Sequence, residues 1–193
     1  MLKIGKNLSE WSSYSCQPKT NKELEQIIKK RIKEQGLNCD LNDIDTSLIT
    51  DMSYLFYMSK FNGDISNWDV SGVNNMKYMF CFSKFNGDIS KWSTSNVENM
   101  CCMFGESKFD NDISNWGVTN VKNMAYMFDS SQFDQDISKW NVTKVEDMSY
   151  MFERSKFNKN ISNWKINKDC DINDMFEDCP IKEEYKPKSL QLW

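Results

Sequence analysis

Apolar positions along the chain fall on a fixed period. Ile65, Trp68, Val70, Val73, Met76, Met79 and Phe80, closed by Ser83 and Phe85, return 24 positions later as Ile89, Trp92, Val97, Met100, Met103, Phe104, Ser107 and Phe109. A constant period of this size predicts a stack, because one unit is too short to bury its own apolar face and must borrow its neighbour's. A degenerate first copy, with Leu37, Asp40, Leu41, Ile44 and Met52 in register, follows Gly36 directly. Coils are therefore expected over 37–60, 61–84, 85–108, 109–132, 133–156 and 157–180. The last one decays: Asp169 takes the valine place and Ile172 the first methionine place, while Met175 and Phe176 hold. Ile181 and Tyr185 echo the pattern once more before Pro187 and a polar tail.

Within a coil, the alternation through Trp68 and Val70 predicts a short strand with Asn67, Asp69 and Ser71 on its opposite face. Met76, Met79 and Phe80 have the spacing of one helical turn. Ahead of the stack, Thr20 and Glu23 form a capping box, Leu24, Ile27, Ile28 and Ile32 share a helical face, and Gly36 supplies a stop. The expected helix covers about residues 21–35, with a lysine-rich solvated outer face. Residues 1–17, with Leu2, Ile4, Leu8, Trp11 and Tyr14 in no clean period, read as an irregular lead-in packing on the first coil. The expected fold is an α/β repeat: a lead-in and capping helix over 1–36, a solenoid of about six coils over 37–180, and a C-terminal cap or tail over 181–193. Short parallel strands would line one face and short helical turns the other.

The unit VxNMxxMFxxSxFxxDISxWxV, repeated over about residues 37–180, resembles the BspA-type leucine-rich-repeat surface proteins, in the form common in mycoplasma lipoproteins. Ile65-x-x-Trp68-x-Val70 follows the apolar spacing of a leucine-rich repeat, and the period lies in that class's range. The resemblance implies a right-handed, leucine-rich-repeat-like solenoid used for binding, often at a cell surface, with no catalytic residues to carry over. The chain departs from it in two ways. It shows no export signal or lipobox, which makes a cytoplasmic protein the expectation and a cell-surface one the alternative. Val73, Val97, Val121 and Val145 stand where that class usually has asparagine, so hydrogen bonding at the corner must differ.

Composition narrows the function. The net charge of −4 argues against a nucleic-acid partner, and it divides into a basic first 36 residues and an acidic remainder. No apolar run approaches the ~18 residues of a membrane span. The seven cysteines are odd in number and irregularly spaced, which fits a reducing compartment better than a disulfide framework. There is no histidine, no Gly-rich phosphate loop and no Cys-x-x-Cys, and nothing places a base beside Cys101 or Cys102, so an enzyme is not expected. No cofactor or metal is expected either.

The repeating columns carry the remaining candidates. Trp68, Trp92, Trp116, Trp140 and Trp164 share a face with the valines and are expected to stack in the core; facing out, they would be a sugar platform. Asp40, Asp64, Asp88, Asp112 and Asp136 repeat in register, and like charges ~5 Å apart cost on the order of 0.8 kcal/mol even in water. Asx turns would compensate; calcium is the alternative, although the loop offers few further oxygen ligands. Lys60, Lys84, Lys108 and Lys156 balance the acidic rows.

The outward strand face is the expected partner surface. It begins with Asp43 and Asp45, continues through Asn67 and Asp69 to Lys91 and Ser93, and reaches Asn115 and Thr119. Lys139 and Asn141, then Asn163 and Lys165, complete it, so the sign drifts from acidic to basic along the stack. The expected function is a monomeric, non-enzymatic module that binds another protein through this face. Its size and expected location suit an immunity-like neutraliser of a toxin. A cell-surface adhesin or glycan-binding repeat protein is the alternative.

Overall fold

A computed structural model describes residues 14–192. The positions Leu2, Ile4, Leu8 and Trp11 of the expected lead-in lie outside the described residues. One α-helix, α1, spans Asn21–Gln35. The Thr20 hydroxyl accepts the Glu23 N–H at 3.2 Å, and the Glu23 carboxylate reaches back past the cap residue to accept the Lys19 N–H at 2.7 Å. Gly36 ends the helix at φ +93°, a conformation that costs a residue without Cβ little. Leu24 and Ile28 are buried against the first coil.

From there the chain winds with the period its sequence carries. Parallel bridges at a spacing of 24 run from Asp51 through Asn75, Asn99, Asn123 and Asp147 to Asp171. The core is a set of aromatic ladders running through the stack. Trp68 lies over Trp92 at 6.4 Å between ring centroids, Trp92 over Trp116 at 6.3 Å and Trp140 over Trp164 at 6.4 Å. Phe56, Phe80, Phe104, Phe128, Phe152 and Phe176 form a second column at 5.5–5.8 Å. Phe61, Phe85, Phe109, Phe133 and Phe157 form a third at 6.2–6.3 Å. These are offset-stacked rings, each pair contributing about 0.5–1.5 kcal/mol beyond the area it buries. The five tryptophans are 2–4% exposed, as core residues should be. Each also donates its indole N–H to the isoleucine (in the first coil, leucine) carbonyl of the preceding coil, from Trp68 to Leu41 at 2.9 Å through Trp164 to Ile137 at 3.2 Å.

The expected strands do not form. Only isolated bridges occur among the described residues, and their main column passes through Asn75, not through Trp68 and Val70. The segment from Asp64 to Val73 is instead a run of turns. The Trp68 N–H bonds to the Ile65 carbonyl at 3.2 Å and the Val73 N–H to the Val70 carbonyl at 2.9 Å, while the Asp64 and Asp69 side chains accept the N–H groups of Ser66 and Ser71. Backbone folded onto itself in this way has few N–H groups left for a ladder.

The expected helical turns are also replaced. After Asn75, alternate residues donate forward to the next coil: Met76 to Asn99, Tyr78 to Cys101, Phe80 to Met103 and Phe82 to Gly105, all at 2.9 Å. The residues between them close turns within the coil, with Met79 bonding to Met76, Cys81 to Tyr78 and Ser83 to Phe80. Two residues per coil, four apart, take positive φ, as Tyr78 at 59° and Phe82 at 57° do. A left-handed residue at the third position of a turn is the type II signature, and it explains how methionines at helical spacing point inward without a helix.

Both ends are capped. The Asn21 amide donates to the Asp51 and Ser53 carbonyls at 3.2 and 3.1 Å, standing in for a preceding coil. At the other end the valine place of the last coil is filled by Cys170, one residue late, and Ile172 is 36% exposed because nothing stacks on it. Residues 183–192 form two short 3-10 helices, Glu183–Tyr185 and Lys188–Leu192. They pair with the last coil through Ile161 N–H to the Tyr185 carbonyl at 3.0 Å and Lys188 N–H to the Ser162 carbonyl at 3.2 Å. The forward donors Ile172, Asp174, Phe176 and Asp178 have no acceptor among the described residues.

Candidate functional site

Two adjacent columns bring the sequence-predicted surface together. Asp43, Asn67, Lys91, Asn115, Lys139 and Asn163 occupy one, and Asp45, Asp69, Ser93, Asn141 and Lys165 the other, with Thr119 in the column beside them. From Asn67 onward these residues are exposed. The first two are not free. Residues 15–17 add a partial rung to the first coil, bridging Cys16 to Ile44, with Ser15 N–H on the Asp43 carbonyl at 2.7 Å and Asp45 N–H on the Cys16 carbonyl at 2.9 Å. Arg31 from α1 pairs with Asp43 at 2.7 Å, and Gln17 donates to Asp45 at 2.6 Å. The Ser15 hydroxyl, and after it the Arg31 guanidinium, hold the Asp43 carboxyl below its ordinary range. Both aspartates therefore fasten the N-terminal cap.

Further along, the face is partly occupied by its own turns. Asp69 accepts the Ser71 N–H at 2.9 Å and its hydroxyl at 2.6 Å, and Asn141 accepts the Thr143 hydroxyl at 2.8 Å. Asn163 donates to the Ser138 carbonyl at 2.9 Å. Lys91, Lys139 and Lys165 make no ion pair among the described residues. Next to this face lies a shallow polar groove lined by Asn96, Glu98, Asn120, Lys122, Lys144 and Glu146, closed on itself by the Lys122–Glu98 ion pair at 2.7 Å and by Lys144 on Asn120 at 3.2 Å.

The acidic column is accounted for by its Asx turns. Asp64, Asp88, Asp112 and Asp136 each accept the N–H of the serine two residues on, at 2.8–2.9 Å. Those backbone donors, the largest cause in each case, hold the Asp64, Asp88 and Asp136 carboxyls below their ordinary range. A further column escaped the sequence reading: Asn62, Asn86, Asp110, Asp134 and Asn158 each accept, through the side chain, the N–H of the residue 24 positions on. Among the described residues no group of three His, Cys, Asp or Glu side chains is placed to hold a metal ion.

Sequence reasoning also missed an exposed aromatic cluster. Tyr54 stacks on Tyr78 at 4.9 Å with 6° between planes, and Tyr57 meets Tyr54, Tyr78 and Phe82 edge-on at 5.7, 6.2 and 6.0 Å. Lys77 sits over the Tyr78 ring at 5.3 Å. Despite these contacts the cluster faces solvent: Tyr54 is 49% exposed, Tyr57 39%, Phe82 44% and the neighbouring Met58 65%. Burial against its neighbours pushes the Tyr78 phenol up to about 12. Tyr54, Met58, Tyr78 and Phe82 all hold positive φ. The visible signal was the recurrence of Tyr54, Tyr78, Tyr126 and Tyr150 in one column; reading the segment as helix concealed that this column points outward.

A family model described as mycoplasma protein of unknown function, DUF285, matches residues 22–129 and again 82–187, and the chain belongs to that family. No curated protein and no solved structure matches it.

Proposed function

We propose that this DUF285 chain is a non-enzymatic module that binds another protein, with the aromatic cluster on its first two coils as the principal contact. One observation carries the reading: Tyr54, Met58 and Phe82 stand on left-handed backbone, as two residues of every coil do, and here leave large apolar side chains in water. A Cβ at such φ costs roughly 1–2 kcal/mol per residue, and exposed aromatic surface adds a solubility cost. Exposed aromatic surface gathered at one place, on the residue types that dominate binding hot spots, supports a contact surface. Kinship with the BspA-type leucine-rich repeats is part of the same proposal and rests on the Ile65-x-x-Trp68-x-Val70 spacing.

A second surface is favoured by its own observation: from Asn67 to Lys165 the polar columns are exposed and change from acidic to basic along the stack. Capture from cell extract with Tyr57→Ser plus Phe82→Ser, and separately with Asp69→Lys plus Lys139→Glu, tells the two apart. The reading expects the aromatic pair of changes to abolish recovery of a defined protein partner and the charge pair to weaken it. Unchanged recovery with both variants would overturn it. Binding of the wild type to a glycan array, lost on Tyr54→Ser, would move the function to the carbohydrate-binding alternative.

A further inference from the structure

The column Tyr54, Tyr78, Cys102, Tyr126, Tyr150 is a tyrosine stack with one interruption. Tyr126 and Tyr150 stack at 4.6 Å, as Tyr54 and Tyr78 do at 4.9 Å. At the break, the neighbour reached diagonally on the preceding coil is a second cysteine, in a column that varies from coil to coil. Where Tyr78 meets Tyr57, Cys102 meets Cys81, and the two Sγ atoms lie 3.0 Å apart. Cys81 is fully buried and Cys102 is 8% exposed. Gly105, one period on from Cys81 and in the same coil as Cys102, leaves room for the sulfurs, since a Cβ there would come within 2.6 Å of Cys102 Sγ. The break in the tyrosine column at Cys102, with Cys81 and Gly105 in the variable column beside it, brings two thiols to about one ångström beyond the ~2.05 Å of a disulfide.

We infer that Cys81 and Cys102 are a built cross-link site, held as thiols in a reducing compartment and joined as a disulfide between the second and third coils under oxidation. The oxidant is a peroxide: both S–H bonds break, one S–S bond forms, two electrons pass from the sulfurs to the O–O bond, and the peroxide leaves as two water molecules or their organic equivalents. The bond fastens two coils already joined by Tyr78 N–H to the Cys101 carbonyl and Phe82 N–H to the Gly105 carbonyl, beside the aromatic cluster. The remaining five cysteines have no such partner: no other pair of thiols is in contact among the described residues.

The test treats the folded full chain with hydrogen peroxide at a small molar excess and reads mass, thiol count after unfolding, and a peptide map. The expected result is a loss of about 2 Da per chain, two fewer titratable thiols, and one linked peptide pair containing Cys81 and Cys102, all reversed by dithiothreitol. Cys81→Ser and Cys102→Ser should each abolish the linkage, while Cys101→Ser, which alters the more accessible neighbour, should retain it. A circular dichroism spectrum matching wild type identifies which variants are folded. Linkage through Cys101, sulfinic acid at Cys102 in place of a linkage, cross-links only between chains, or all seven thiols retained would each overturn the inference.

Discussion

A single indole does two jobs in every coil, and a substitution can separate them. Trp116 fills core volume between Trp92 and the next coil and satisfies the Ile89 carbonyl at 3.1 Å. Trp116→Phe keeps most of the apolar burial and removes one of the two donors to that carbonyl, the Trp92 N–H remaining at 3.2 Å, a loss of about 0.5–1.5 kcal/mol; Trp116→Ala adds a cavity and should cost about 3–5 kcal/mol. Urea unfolding of both variants checks the order. Left-handed backbone provides the opposite sign. Glu106 is exposed at φ 49°, and its side chain makes no hydrogen bond among the described residues. Glu106→Gly relieves the Cβ clash at some cost in unfolded-state entropy, so the urea midpoint should rise, by about 0.5–1 kcal/mol in stability. Titration offers a third test. The folded Asp64, Asp88 and Asp136 carboxyls lie below the ordinary value of 3.8, so the stabilisation they supply is complete above that pH and is lost as pH falls through their folded values. Between about pH 6 and about pH 3 the urea midpoint should drop, and changing all three to asparagine, which keeps the turn acceptor without the charge, should flatten that part of the drop.

At the scale of elements, α1 is a lid whose docking is set by a few polar contacts in addition to Leu24 and Ile28. Asn21→Ala removes both bonds to the first coil and should cost about 1–2 kcal/mol, read as faster amide exchange in α1 while the interior coils keep their protection. The helix was legible from sequence because its signals are local: a capping box, a one-sided apolar stripe and a stopping glycine. The coil was legible only as a period. Ile65, Trp68 and Val70 do point inward, but alternation is shared by strands and by chains of Asx turns, and the Asx turns expected at Asp64, Asp88, Asp112 and Asp136 form, while Asp69, expected on a strand, opens a turn of its own. The Met-Phe segment misled for the converse reason. Its left-handed positions carry tyrosine in four coils at the first place and unrelated residues at the second, where glycine or asparagine would have announced a turn, so methionines three apart read as helix. Of the candidate surface, the columns were visible because register is a matter of counting. That Asp43 and Asp45 are engaged by Arg31 and Gln17 was not, since the contact joins residues 12 and 28 apart outside the repeat.

Across the whole molecule, nearly every interaction joins a coil to itself or to the next one, so stability should add coil by coil. Excision of residues 109–132 removes one full period and brings equivalent positions together. The shortened chain should fold with the same circular dichroism signature and a lower unfolding midpoint, whereas a cut of half a period should give no folded protein. The same regularity set what could be read in advance: that the chain stacks was plain, and which side chains of each coil face outward depended on where the backbone turns left-handed.

The row of amides at Ile172, Asp174, Phe176 and Asp178 gives this architecture a direction of growth. A gene that acquires an extra period by tandem duplication near residue 180 supplies carbonyls to donors already in place once the 183–192 cap shifts onto the new coil, whereas an insertion ahead of residue 37 displaces α1 with no such row of donors waiting. Lengthening is thus cheapest downstream, and size differences between relatives should concentrate on that side of the stack.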